Sequence, residues 1–325
     1  MTAIETQLPQ ILTRLERLRS SAGVAQRVLQ LIDNPEFDTQ QVVTLLESDP
    51  ALAAQILKLV NSAFFGLPRQ VASLRQAVLC LGTHTLRLAL LNLGVLQGMS
   101  TGMTPPQREQ FLRHALTTAL LAQNLQRLRG SDDADTAYCA GLMADVGVLA
   151  LLQVETKRYQ ALLADQRFDG ELAHAEEQVF GFNHAELGAR LLQRWNLPQA
   201  IVSAVAQHHQ AVNACCDELV TSVQIATLTA EVLWMPNSSR VDAVRQLLQK
   251  HFALNVDDFI QLALDCKSWL QSHAATFNLH LHAEIDVDEL RAQAMERFVA
   301  ESVATAVELD GLTSLLDTPL PSLPD

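Results

Sequence analysis

Aromatic residues are scarce in this chain of 325 residues, at 5%, and only 13 glycines and 11 prolines interrupt it. With 49% hydrophobic residues, so few breakers exclude a disordered chain and indicate a packed one. Positive charge is also short: 23 Lys and Arg face 36 Asp and Glu, a net charge of −13, with no dense basic stripe. Such a surface repels phosphate backbones, which counts against direct nucleic-acid binding and against a DNA-binding repressor. The five cysteines, Cys80, Cys139, Cys215, Cys216 and Cys266, are odd in number and without paired or C-x-x-C spacing. No disulfide framework or cysteine zinc site is expected; small core residues in a reducing cytoplasm are. Met1–Gln10 is too polar for a signal peptide. The apolar run Leu86–Leu96 is broken by Arg87, Asn92 and Gly94, so no membrane span is expected.

What is present is one amphipathic helix after another. Leu, Ala, Val and Gln recur throughout, and apolar residues return at helical spacing, as in Leu8, Ile11, Leu12, Leu15 and Leu18. Stops and caps fall between the runs. Asn34-Pro35 closes one helix, Asp38 caps the next, and Asp49-Pro50 opens a fourth. Ser73 and Gln76 suit a capping box before a helix ending at Gly82, after which Thr83 caps a long apolar helix. The stretch 100–106 breaks the pattern, and helices resume over 107–129. Asn183 with Glu186, then Leu197-Pro198, Asn255 and Asp286, mark further helix starts. The fold expected is all-α, without a strand.

Several long motifs occur in order. Asp49-Pro50-Ala51-Leu52 precedes Leu59-Val60-Asn61-Ser62-Ala63-Phe64-Phe65-Gly66-Leu67-Pro68, and Val71 to Gly82 follows. Later come Phe182-Asn183-His184-Ala185-Glu186-Leu187-Gly188 and Leu192-Gln193-Arg194-Trp195-Asn196-Leu197-Pro198. Together, over roughly residues 8–235, they resemble the HDOD proteins, HD-related output domains of bacteria derived from metal-dependent phosphohydrolases. The resemblance implies an all-helical fold and a signalling role, usually without catalysis. With the break at 100–106 and the proline-rich end of the chain, the expected division is an N-terminal lobe (1–105), a degenerate HD-like lobe (106–236), a helical extension (237–317) and a mobile tail (318–325).

An HD hydrolase holds one or two divalent cations on His and Asp ligands, and these activate water for attack on phosphate. By position in the resemblance, His114 matches the first ligand, and Ala144-Asp145 matches the central pair with its histidine lost. Thr227 is nearest to where a later aspartate belongs, and Val148 stands where many catalytic relatives place lysine. With two ligands gone, His114, Asp145, His184 and His208 are vestigial positions: no bound metal, no cofactor and no enzymatic activity are expected. Asp145 then needs a structural partner, His114 or a backbone N–H, because an unpaired buried charge is costly. Of the pair His208-His209 only one is expected to face the old site, since neighbours on a helix point about 100° apart. His273, His280 and His282 read as surface residues.

The expected function is a cytoplasmic signalling module acting by protein contact, or by sensing a small nucleotide-like ligand. The alternative is a residual metal-dependent phosphohydrolase acting on a nucleotide or cyclic dinucleotide. Around Asn61, the residues Phe64, Phe65 and Leu67 suit core packing, while Asn61, Arg69 and Arg75 are candidates for a partner-binding face. At the C-terminus, Met295, Val299, Ser302, Ala306, Leu309, Thr313 and Leu316 step by four and three, the spacing of a seam that either packs on the chain's own core or joins two chains into a homodimer.

Overall fold

The computed structural model describes residues 8–13, 24–32, 34, 37–47, 52, 56–57, 59–61, 71, 73–98, 103–165, 170–194, 197–212, 217–235, 238–273 and 283–295. Among these residues every regular element is a helix, as composition and periodicity require. The N-terminal group includes α1 (Val24–Ile32), α2 (Thr39–Glu47) and α3 (Leu74–Gly98), each packed on the other two, with further helical residues at 8–13, 56–57 and 59–60. Asp38 caps α2 by accepting from the Gln40 N–H, and Ser73 accepts from the Gln76 N–H at the start of α3. Gly82 (φ 66°, ψ 171°) interrupts α3, a left-handed backbone that a side chain would strain.

Asn61 is exposed, yet its amide is spent on the backbone. Nδ2 donates to the Leu57 and Val71 carbonyls at 2.9 and 2.7 Å, and Oδ1 accepts from the Val71 N–H at 2.6 Å. It pins Val71 to the turn at Asn61. Asn61→Ala should therefore lower stability by about 1–3 kcal/mol, read as the urea midpoint of the full chain. Arg75 is exposed on α3. Arg69, Phe64, Phe65, Leu67 and Asp49-Pro50 lie outside the described residues, as does the C-terminal seam beyond Met295.

The larger body begins with α4 (Pro105–Leu128), two residues earlier than expected. Thr104 and Gln107 form a reciprocal capping box, and the prolines occupy the first turn, where no N–H is needed. Then follow α5 (Ala134–Met143), α6 (Val146–Val154), α7 (Thr156–Asp165), α8 (Gly170–Phe180), α9 (His184–Arg194), α10 (Gln199–Gln207) and α11 (Glu218–Trp234). Helices α4, α5 and α11 pack on one another; α10 lies against α5, α9 and α11; α9 lies against α6. Helix α3 reaches α5 and α6, while α7 and α8 flank α6 and α9. Beyond, α12 (Val241–Phe252) packs on α11, and α13 (Val256–His273) on α4 and α12. Asn255 and Asp286 cap as the sequence indicated, accepting from the Asp258 and Glu289 N–H groups.

Two expectations are corrected. Thr136–Val154 does reach the length and apolarity of a membrane span, with mean hydropathy 1.7, but it is 94% buried within the fold and breaks into α5 and α6 at Ala144-Asp145. Cys139 and Cys266 are buried as expected, whereas Cys80 is exposed because it lies on the outer face of α3.

Candidate functional site

Three helices, α4, α9 and α10, bring the histidines to one place, and a break in the chain supplies the carboxylate. Asp145 does not lie within a helix, as the apolar run suggested; it occupies the junction between α5 and α6. Its side chain makes no capping bond to α6 and turns instead toward three imidazoles. The Nε2 atoms of His184 and His208 lie 3.3 and 3.4 Å from its Oδ1, and Nε2 of His114 lies 3.6 Å from Oδ2. All four sequence-derived positions, His114, Asp145, His184 and His208, are thus together and buried.

The junction is held by an unusually close helix crossing. A Cβ built on Gly147, in the first turn of α6, would fall 2.0 Å from the His184 carbonyl oxygen at the start of α9. Gly188 on α9 answers from the other side, beside Val146 and Gly147. Only glycine lets the two backbones touch here, which sets Asp145 against His184.

His209 was expected in solvent, and the structure places it in the site. Helix α10 ends at Gln207, with His208 as its cap and His209 in the following turn, so helical geometry no longer separates the two rings. Their centroids lie 4.0 Å apart, and Nε2 of His209 is 2.9 Å from Nε2 of His184.

Bonding partners fix the tautomers. Nδ1 of His208 lies 2.7 Å from the Val205 carbonyl, which can only accept, so Nδ1 carries the proton and Nε2 points inward. That buried Nε2 has no hydrogen-bond partner. Nδ1 of His184 donates to Glu176 Oε2 at 2.7 Å, leaving its Nε2 inward too. Glu176 is wholly buried; it also accepts from the His184 backbone N–H at 2.6 Å and, through Oε1, from the Tyr159 hydroxyl.

These contacts shift the titrations strongly. Burial alone would raise the Asp145 pKa, yet His184 at its Oδ1 and the close imidazoles of His208 and His114 hold it well below the usual carboxylate range. Burial would lower His184, but Glu176 and Asp145 on its two nitrogens bring it up to about 10. His209 is pushed well below its ordinary value by burial, then by His208 and His184.

The donor set here fits a divalent metal ion of the kind the resemblance to HD hydrolases implies. One carboxylate oxygen and three imidazole nitrogens, from Asp145, His184, His208 and His209, lie within 4.8 Å of one another. Tetrahedral zinc with bonds of about 2.0–2.1 Å needs ligand atoms about 3.3 Å apart. Three of the six separations, at 2.9, 3.3 and 3.4 Å, lie near that edge, and the His208 Nε2, without a hydrogen-bond partner, already faces the centre. These four residues would hold the ion, which would supply Lewis acidity to anything that reached it. At the positions read as lost ligands, Ala144 is buried in packing, and Thr227 donates its hydroxyl to the Val223 carbonyl of its own helix.

Sequence reasoning missed Glu176 and Tyr159. A signal existed for the first: Leu172, Glu176 and Phe180 share one buried face of α8 at spacings of four, and a carboxylate there demands a partner. Tyr159 carries no such mark, because a tyrosine on an apolar face reads as core.

A family model, the HDOD domain, matches residues 18–211. An uncharacterized protein of Treponema pallidum (strain Nichols) is 28% identical over 239 residues, covering 71% of this chain; the chain spans 46% of that relative's length. The crystal structure of an HDOD domain protein of unknown function from Geobacter sulfurreducens superposes with a TM-score of 0.57 at 24% identity, covering 86% of this chain and 99% of that one. A Shewanella amazonensis SB2B structure that carries the provisional name phosphohydrolase gives 0.60 at 21% identity, covering 88% and 98%. At such identities these structures speak for the fold alone. With more than half of its residues matched by the family model, the chain belongs to the HDOD family.

Proposed function

We propose that this chain is a non-catalytic signalling module whose former hydrolase site has become a closed structural centre. The observation that carries this reading is burial. Asp145, His184 and His208 are 5%, 1% and 1% exposed, and the central histidine of the hydrolase pair is the packed methyl of Ala144. A phosphoester needs open coordination positions on a metal, whereas this cluster leaves only an edge of His209 near solvent. A centre closed in this way can tie α4, α5, α6, α9 and α10 into one body, and signalling would then pass through outer surfaces. Contact with other signalling proteins, in the cytoplasm, is the proposed mode, with Arg75 on α3 as a candidate contact.

The four-donor cluster favours a second reading, a residual phosphohydrolase working with a single metal. The discriminating experiment is a panel of phosphomonoesters, nucleotides and cyclic dinucleotides offered with manganese, iron or zinc. No turnover above background is expected from the natural chain or from Ala144→His, because Thr227 still leaves an aspartate missing. Metal-dependent turnover abolished by Asp145→Asn would establish the hydrolase instead.

A further inference from the structure

We propose that Glu176 and Tyr159, on helices outside the cluster, are positioning residues of a metal centre formed by Asp145, His184, His208 and His209. The inference rests on the metal-holding reading of that cluster. Glu176 accepts three hydrogen bonds: from the His184 Nδ1–H, from the His184 backbone N–H, and from the Tyr159 hydroxyl. The first two fix both the ring and the backbone of one residue through a single oxygen, Oε2. His184 is thereby locked with Nδ1 protonated and Nε2 aimed at Asp145 and His209. A carboxylate behind a metal-bound imidazole also makes its other nitrogen a stronger donor. Tyr159, wholly buried on α7, occupies the remaining oxygen, so that Glu176 has one orientation rather than two. The cost of burying a carboxylate on the apolar face of α8, between Leu172 and Phe180, is hard to account for by packing alone. Three donors on Glu176 offset it, the close His184 imidazole among them, and a cation beyond His184 would add to that.

The arrangement predicts a graded loss. Full-length protein is stripped with chelator and titrated with zinc, with affinity measured by competition and tetrahedral geometry checked by the visible spectrum of the cobalt-loaded form. The natural chain should bind one zinc, and His184→Ala should abolish binding. Glu176→Gln retains the shape and can still accept from His184, so it should fold, while weakening zinc about 10–100-fold. Tyr159→Phe should weaken zinc in the same direction by less, and should add nothing in the Glu176→Gln background, because both act through one ring. Helical circular dichroism should be unchanged in both. One zinc in the natural chain with the same affinity in Glu176→Gln and Tyr159→Phe would overturn the positioning role and leave the metal reading standing. Failure of the natural chain to bind zinc would overturn the metal reading itself, and this inference with it.

Discussion

Gly147→Ala is expected to be among the most damaging single substitutions in the chain, although it adds one methyl. The added carbon would lie 2.0 Å from the His184 carbonyl oxygen and 2.7 Å from its carbonyl carbon, where ordinary contact is 3.4–4 Å. Both partners are backbone, so no flexible side chain can move aside; α6 and α9 must separate by roughly 1 Å or more. Separation would strip packing from Val146 and Leu187, both buried, and draw Asp145 away from His184. The expected loss is about 3 kcal/mol or more, above the usual cost of overpacking because two helices move together. Urea unfolding of Gly147→Ala beside Gly130→Ala makes the comparison. Gly130 has positive φ but open space, so its substitution should cost about 1 kcal/mol from backbone strain alone. Equal costs would show that the helix crossing tolerates separation.

Asp145→Ala is expected to destabilise the chain by about 3–5 kcal/mol, the range for breaking a buried ion pair by removing one partner. Asp145 is the carboxylate that His114, His184 and His208 all face, and its removal leaves three buried imidazoles directed at an empty centre. Asp145→Asn preserves volume and one acceptor oxygen but removes the charge, so it should recover part of the stability and none of the metal binding. Thermal unfolding of the two variants separates the shape of the residue from its charge. If Asp145→Ala unfolds like the natural chain, the cluster contributes nothing to holding the helices.

Much of this fold was legible because helix ends announce themselves locally. Asp38, Ser73, Asn183, Asn255 and Asp286 each accept from a backbone N–H two or three residues on, so sequence spacing suffices. His114, Asp145, His184 and His208 were legible through family resemblance, since no local rule brings residues from three helices and an interhelical junction together. What escaped depended on where helices stop and cross. His209 was assigned to solvent by helical geometry that ends one residue too early to apply, at Gln207. Glu176 and Tyr159 sit 8 and 25 residues before His184, and only the packing of α7 and α8 against α6 and α9 unites them. The crossing at Gly147 was visible only as a glycine in an apolar run.

Metal content and phosphoester turnover, measured on the same samples as zinc or manganese is added to stripped protein, test the central claim most directly. A closed, non-catalytic centre predicts that turnover stays at background throughout, whatever metal the cluster takes up. Turnover that climbs in proportion to bound metal, and disappears in Asp145→Asn, would contradict it.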